Sequence, residues 1–190
     1  ADQFRATVSN GVGAAVSSAV PAVLTVYTIP AITTQPTTQT IVAGSPVTLT
    51  VVATGSPAPT YQWKKGGVNI TGATGSSYTI EASAATNAGS YTVFVANLVG
   101  SVTSSTATLT VNVPPSITTQ PQSIAVTAGQ GASFTVVASG NPTPTIQWER
   151  QAANTVGFVA LTNTGTYSGV GTSTLTVTGA SLAMSADQFR

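Results

Sequence analysis

Cysteine and histidine are absent from the sequence, and five Lys or Arg with four Asp or Glu are the only charged residues among 190. Without cysteine no disulfide can staple the fold, which suits a reducing compartment or a secreted protein held by packing alone. Without cysteine and histidine the strongest metal-ligand sets and the commonest general base are missing, so neither a metal nor a cofactor is expected. Charge makes up 5% of the chain, against about 25% in ordinary soluble domains. The net charge of +1 supplies no field to draw in nucleic acid or an anionic membrane. No uninterrupted apolar run approaches the roughly 20 residues that span a bilayer.

What fills the chain is Thr, Ser, Ala, Val and Gly. Hydrophobic residues reach 42%, and β-branched side chains dominate them, which favours strands. The chain also repeats itself. The stretch PAITTQPTTQTIVAGSPVTLTVVATGSPAPTYQWKK starts at Pro30, and PSITTQPQSIAVTAGQGASFTVVASGNPTPTIQWER starts at Pro115. Pro36 and Pro121, Gly44 and Gly129, Gly55 and Gly140, and Trp63 and Trp148 are all 85 positions apart. Each copy reads as short alternating strands between Gly, Pro, Asn and Ser turns, the pattern of an all-β sandwich. In the first copy, strands are predicted over 47–53, around Trp63, and over 77–82, 90–97 and 100–111. Residues 82–89 have room for one helical turn.

The order G-x-P-x-P-x-x-x-W, A-G-x-Y-x-V-x-V-x-N-x-x-G, L-T-V resembles immunoglobulin-like domains of the intermediate type. It is most similar to the cysteine-free forms found in tandem in large bacterial surface and secreted proteins. That resemblance implies a Trp on strand C packed against the position of a B–F disulfide. Here Val51 (Val136 in the second copy) and Val93 stand in those places, so Val–Val contact replaces the bridge. It also implies that Tyr91 is a tyrosine corner, bonding backbone upstream.

The second copy lacks a complete SYTVFVAN-like strand. Such a strand is found near the other terminus, where QFRATVSN (residues 3–10) aligns with SYTVFVAN. Phe4 takes the Tyr91 slot, Ala6 the Val93 slot and Asn10 the Asn97 slot. Residues 13–27 align with the last strand, with about two extra residues near Pro21. ADQFR is both the first and the last five residues, so residue 186 reads as residue 1 of a next copy, a period of 185. The expected organisation is therefore threefold. Residues 1–29 are the last two strands (F and G) of a domain begun by another copy. Residues 30–114 are a complete domain, and 115–190 are a second domain completed by the next copy. Such a contact is head-to-tail, which generates open filaments. Either one polypeptide continues through the repeat, which the duplicated ADQFR favours, or separate subunits donate strands. Pro30, Pro114 and Pro115 restrict φ at the junctions and point to semi-rigid alignment of neighbours.

Candidate sites read as structure. Trp63 and Trp148 could stack on carbohydrate, but their place on strand C makes them core. Tyr61 shares the face of Trp63 and is expected to be partly buried. Glu81 and Glu149 fall in different domains, Glu149 in a turn, and Asp187 duplicates Asp2. None forms a catalytic carboxylate pair, and all four read as surface charge. Lys64 and Lys65 are expected to open a turn in solvent. Abundant Ser and Thr have no base beside them, so no catalytic residue is assigned. Asn69-Ile70-Thr71 is a glycan acceptor pattern. Residues 151–171 are longer than their counterpart and predict an extra hairpin, the preferred place for a ligand or lateral contact peculiar to one domain.

Together these readings predict a non-enzymatic, extracellular or surface-attached filament of immunoglobulin-like repeats, with other copies as partners. The weakly charged Ser/Thr surface would let fibres bundle laterally. The alternatives are a strand-donating, pilus-like polymer, or an adhesion or carbohydrate-binding module of a larger secreted protein that contacts surface glycans or other cells.

Overall fold

The computed structural model describes residues 2–190, which form strands joined by turns and two single 3-10 turns at Ala85–Asn87 and Leu182–Met184. The chain divides into two units, one ending at Thr110 and the other running from Val111 to Arg190 and including Ile41–Ala43.

In the first unit, Thr28–Thr34 pairs with Val52–Ser56, and Val47–Thr50 pairs with Ser77–Ile80, all antiparallel. Facing them, Thr60–Lys65 pairs on one side with Val68–Asn69 and on the other with Gly89–Asn97. Gly89–Asn97 (strand F) in turn pairs with Gly100–Thr103 and with the start of Ala107–Thr119 (strand G). Val47–Thr50 alternates buried and exposed, as a strand with one wet face must. Trp63, Val51 and Val93 are all buried, so apolar packing takes the place of a bridge. The Trp63 indole N–H donates to Gly75 O at 3.0 Å, which lets its one polar atom be buried. Gly55 lets the strands approach closely, since a Cβ there would lie 3.3 Å from the Cα of Pro30 on the adjoining strand.

The tyrosine corner is present. Tyr91 Oη donates to Asn87 O at 2.7 Å. Burial, and secondarily Tyr78, pushes its pKa up. The stretch 100–111 is two strands, not one. Ser104 interrupts them, its N–H donating to Val93 O at 3.0 Å and its hydroxyl accepting from Val93 N–H at 3.0 Å. Lys64 and Lys65 lie within a strand and are half-buried, where a solvated turn was predicted. Their stems cover aromatic faces, with Lys64 Nζ 5.4 Å from the centre of the Phe94 ring.

The second unit repeats this plan in part. Ala132–Thr135 pairs with Thr174–Val177, which also pairs with Tyr167–Ser168. Val137–Asn141 pairs with the second half of Ala107–Thr119. Trp148 sits with Ala132, Val136, Leu175 and Val177, and its indole N–H donates to Thr172 O at 2.9 Å. Glu149 belongs to the strand Glu149–Gln151, not to a turn, because its backbone is held by Ala160 and Arg190. Residues 151–171 are divided between two pairings. Val159–Ala160 closes a hairpin with Glu149–Gln151, while Tyr167–Ser168 joins the opposite sheet.

Candidate interaction site: an open sandwich edge and an unpartnered hairpin

The amino-terminal strands form a hairpin that can be compared, bond by bond, with the F–G hairpin of the first domain. Thr7 pairs with Ser17 and Val8 with Val16, as Phe94 pairs with Thr103 and Val95 with Val102. Phe4 pairs with Ala22, as Tyr91 pairs with Ala107. At the turn, Val12 N–H donates to Asn10 Oδ1 at 3.1 Å, matching Val99 N–H to Asn97 Oδ1 at 3.0 Å. The serine interruption recurs as well. Ser18 N–H donates to Ala6 O at 2.8 Å, and Ala6 N–H donates to Ser18 Oγ at 3.3 Å. The two extra residues are separated, one within the turn between Asn10 and Ser18 and one just before Ala22. Only the second of them lies near Pro21, where the sequence alone places both.

Burial separates the two hairpins. Tyr91, Val95, Ala107 and Leu109 are at most 1% exposed. Their counterparts Phe4, Val8 and Leu24 are 53%, 71% and 56% exposed, and Ala22 is exposed too. Every residue from 2 to 29 is exposed. The hairpin has the hydrogen bonds of an inner strand pair and a bare apolar face.

The second domain differs from the first over two matching segments. Residues 145–148 are irregular, whereas their counterparts lie within Thr60–Lys65, held along their length by strand F. Residues 124–127 are irregular and exposed, whereas their counterparts form Gln39–Val42, paired with strand G. A strand pairs when its neighbour is there to take its backbone groups, and both segments lack that neighbour. Strand F does begin. Arg150 lies opposite Phe189 as Lys65 lies opposite Tyr91, and Phe189 stacks on Phe134 at 4.9 Å. Beyond it the face is open, a hollow lined by Ile117, Pro121, Val136, Ala138, Ile146 and Trp148.

The charged groups fall elsewhere. Asp187, read from sequence as surface charge, has a fully buried side chain and accepts from Arg150 Nε and Nη2, both at 2.6 Å. It also accepts from Ala153 N–H at 2.9 Å. The hydrogen bond to this carboxylate is the main reason the Arg150 pKa is raised. Asp187 and Arg150 are 37 residues apart, and only the start of strand F brings them together. Glu149 is half-buried and pairs with Arg190 at 2.8 Å. Asp2, Glu81 and Asn69 are exposed, Tyr61 is half-buried, and both tryptophans are core. Among the described residues no group of three or more Cys, His, Asp or Glu converges, and no helix is long and apolar enough to cross a membrane.

Two antiparallel sandwich units, each built around a buried tryptophan, the first with a tyrosine corner, define a tandem immunoglobulin-like protein. The family model described as "Immunoglobulin domain" matches residues 29–97 and 114–187, and the chain belongs to that family. It is 36% identical to Endoglucanase C of Cellulomonas fimi over 129 residues, covering 65% of this chain and 12% of that protein. It is 38% identical to Kin of IRRE-like protein 2 of Mus musculus over 128 residues, covering 67% of this chain and 18% of that protein. The chain thus spans less than a fifth of the length of these two relatives. Among solved structures, domains 1–4 of Sidekick-1 match with a TM-score of 0.55 at 21% identity, covering 92% of this chain and 49% of that one. Titin domains I67–I69 match with a TM-score of 0.52 at 19% identity, covering 82% and 57%. These two likenesses concern the fold.

Proposed function

We propose that the chain is a non-catalytic stretch of a longer extracellular or surface-attached repeat protein, whose immunoglobulin-like domains follow one another as a structural or adhesive fibre. The observation that carries this reading is the threefold recurrence of one strand plan. It appears whole in the first domain, in part in the second, and as a lone F–G hairpin before them. A polypeptide that reuses one unit extends its reach by adding units, each touching mainly its neighbours. Each sandwich must unfold before the fibre can lengthen. Immunogold labelling of intact cells with antibody raised against the first domain tests the reading. Label along surface fibres or on the cell exterior is expected, and label only after permeabilisation would overturn it.

A second reading draws on one relative being an endoglucanase by name. There the tandem domains would be an accessory segment of a carbohydrate-active polypeptide. Binding of the 190-residue chain to β-glucans on a glycan array would favour it over the fibre.

A further inference from the structure

We infer that the hairpin of residues 6–26 from a second copy of this repeat docks into the open edge of the second domain, completing its F and G strands. This deepens the fibre reading by naming what the second domain binds. Its failure would leave the cell-surface labelling result standing, so the two can be told apart.

The first domain supplies the template. There strand F continues from Tyr91 along Thr60–Lys65, with Val93 opposite Trp63, Phe94 opposite Gln62, Val95 opposite Tyr61 and Ala96 opposite Thr60. In the second domain the same track is marked by Phe189 opposite Arg150. Carried forward in that register, Ala6 of the incoming copy meets Trp148, Thr7 meets Gln147, Val8 meets Ile146 and Ser9 meets Thr145. The acceptor keeps its own Phe189 on Phe134, so the donor's Phe4 has no slot to enter, and its first five residues are displaced. Ala22 then pairs with Phe189, and Leu24 turns into the core as Leu109 does. The following residues give 124–127 the partner that Gln39–Val42 already has.

Asn10 fixes the register. Its equivalent, Asn97, donates through Nδ2 to Thr28 O at 2.8 Å and to Pro57 O at 3.0 Å. The matching carbonyls in the second domain are those of Val113 and Pro142, and Asn10 already holds the same turn as Asn97. The interface is charge-free on the donor side between Arg5 and Tyr27, so apolar burial drives it and salt does not weaken it. Joined along one polypeptide or brought by a separate chain, the hairpin makes the same contacts.

Sedimentation velocity on the 190-residue chain across a concentration series tests this. Head-to-tail oligomers are expected, growing with concentration and stable in high salt. Two variants define the polarity. Leu24→Asp puts a charge on the exposed hairpin face, so it removes the donor. Thr145→Pro with Val126→Pro places prolines at exposed, irregular positions and removes backbone donors from the acceptor edge. Each variant alone should associate about a hundredfold more weakly than the parent, the scale of a lost buried Leu. Mixed in equal amounts, they should form dimers and nothing larger, because one working hairpin meets one working edge. Two outcomes would overturn the inference: a parent chain that stays monomeric throughout the series, or a Leu24→Asp chain that polymerises like the parent.

Discussion

The two domains carry the same landmarks 85 positions apart, and they reach different degrees of order. Among the described residues of the first unit ten aliphatic or aromatic residues are buried, among them Val93, Val95, Ala107 and Leu109 from strands F and G. The second gathers four around Trp148, with Phe134, Ile146, Phe189 and others only partly covered. Sequence differences do not explain this. TYQW and TIQW differ by one residue, yet the first is strand and the second irregular. The difference lies in what stands beside them. A strand's conformation is a property of the pair, because its backbone donors and acceptors need a neighbour.

The two cores should differ most at their tryptophans. Trp63→Ala should cost about 3–5 kcal/mol, a large share of a small domain's stability, and should remove the higher-melting of two calorimetric transitions. Equal losses from Trp148→Ala and Trp63→Ala would mean that the two cores are equivalent after all. Next in size, Asp187→Ala strips Arg150 and Ala153 N–H of their acceptor. It should lower the second domain's stability by about 2 kcal/mol in urea unfolding while leaving the first transition in place. Smaller still is the tyrosine corner, which the second domain lacks because Phe189 has no hydroxyl. Tyr91→Phe should cost about 1 kcal/mol in the first domain. The sign of the pH effect follows from the raised Tyr91 pKa. The unfolded phenol ionises first, so stability is intact below the ordinary tyrosine value of 10.0 and falls as pH climbs through the folded one. Alkaline melting of Tyr91→Phe should show that decline blunted.

Much of this was legible in residue order. The alternation of residues 47–50, the two Trp positions and the Tyr91 corner follow from period-two patterning and landmark spacing. So did the pairing of QFRATVSN with SYTVFVAN, whose register recurs in Phe4 against Ala22 and Tyr91 against Ala107. Other features depend on who stands opposite whom. Asp187 looked like a surface acid because nothing local marks burial, and its guanidinium partner arrives from a strand far along the chain. Lys64 and Lys65 looked like turn residues because charge beside Gly-Gly is a turn signal. Long stems lying on Phe94 and Tyr91 override it. The irregular state of 145–148 could not be read from a segment whose near-twin is a strand.

The scarcity of charge leaves hydroxyls to join the strands. Thr48 Oγ1 meets Thr79 Oγ1 at 2.9 Å across one sheet, and Thr7 Oγ1 meets Ser17 Oγ at 3.0 Å in the hairpin. Both ion pairs found among the described residues lie in the second domain. Dissolved ions screen charges and leave neutral dipole pairs almost untouched. Screening should therefore move the melting temperature of the second domain more than that of the first, through Glu149, Arg150, Asp187 and Arg190.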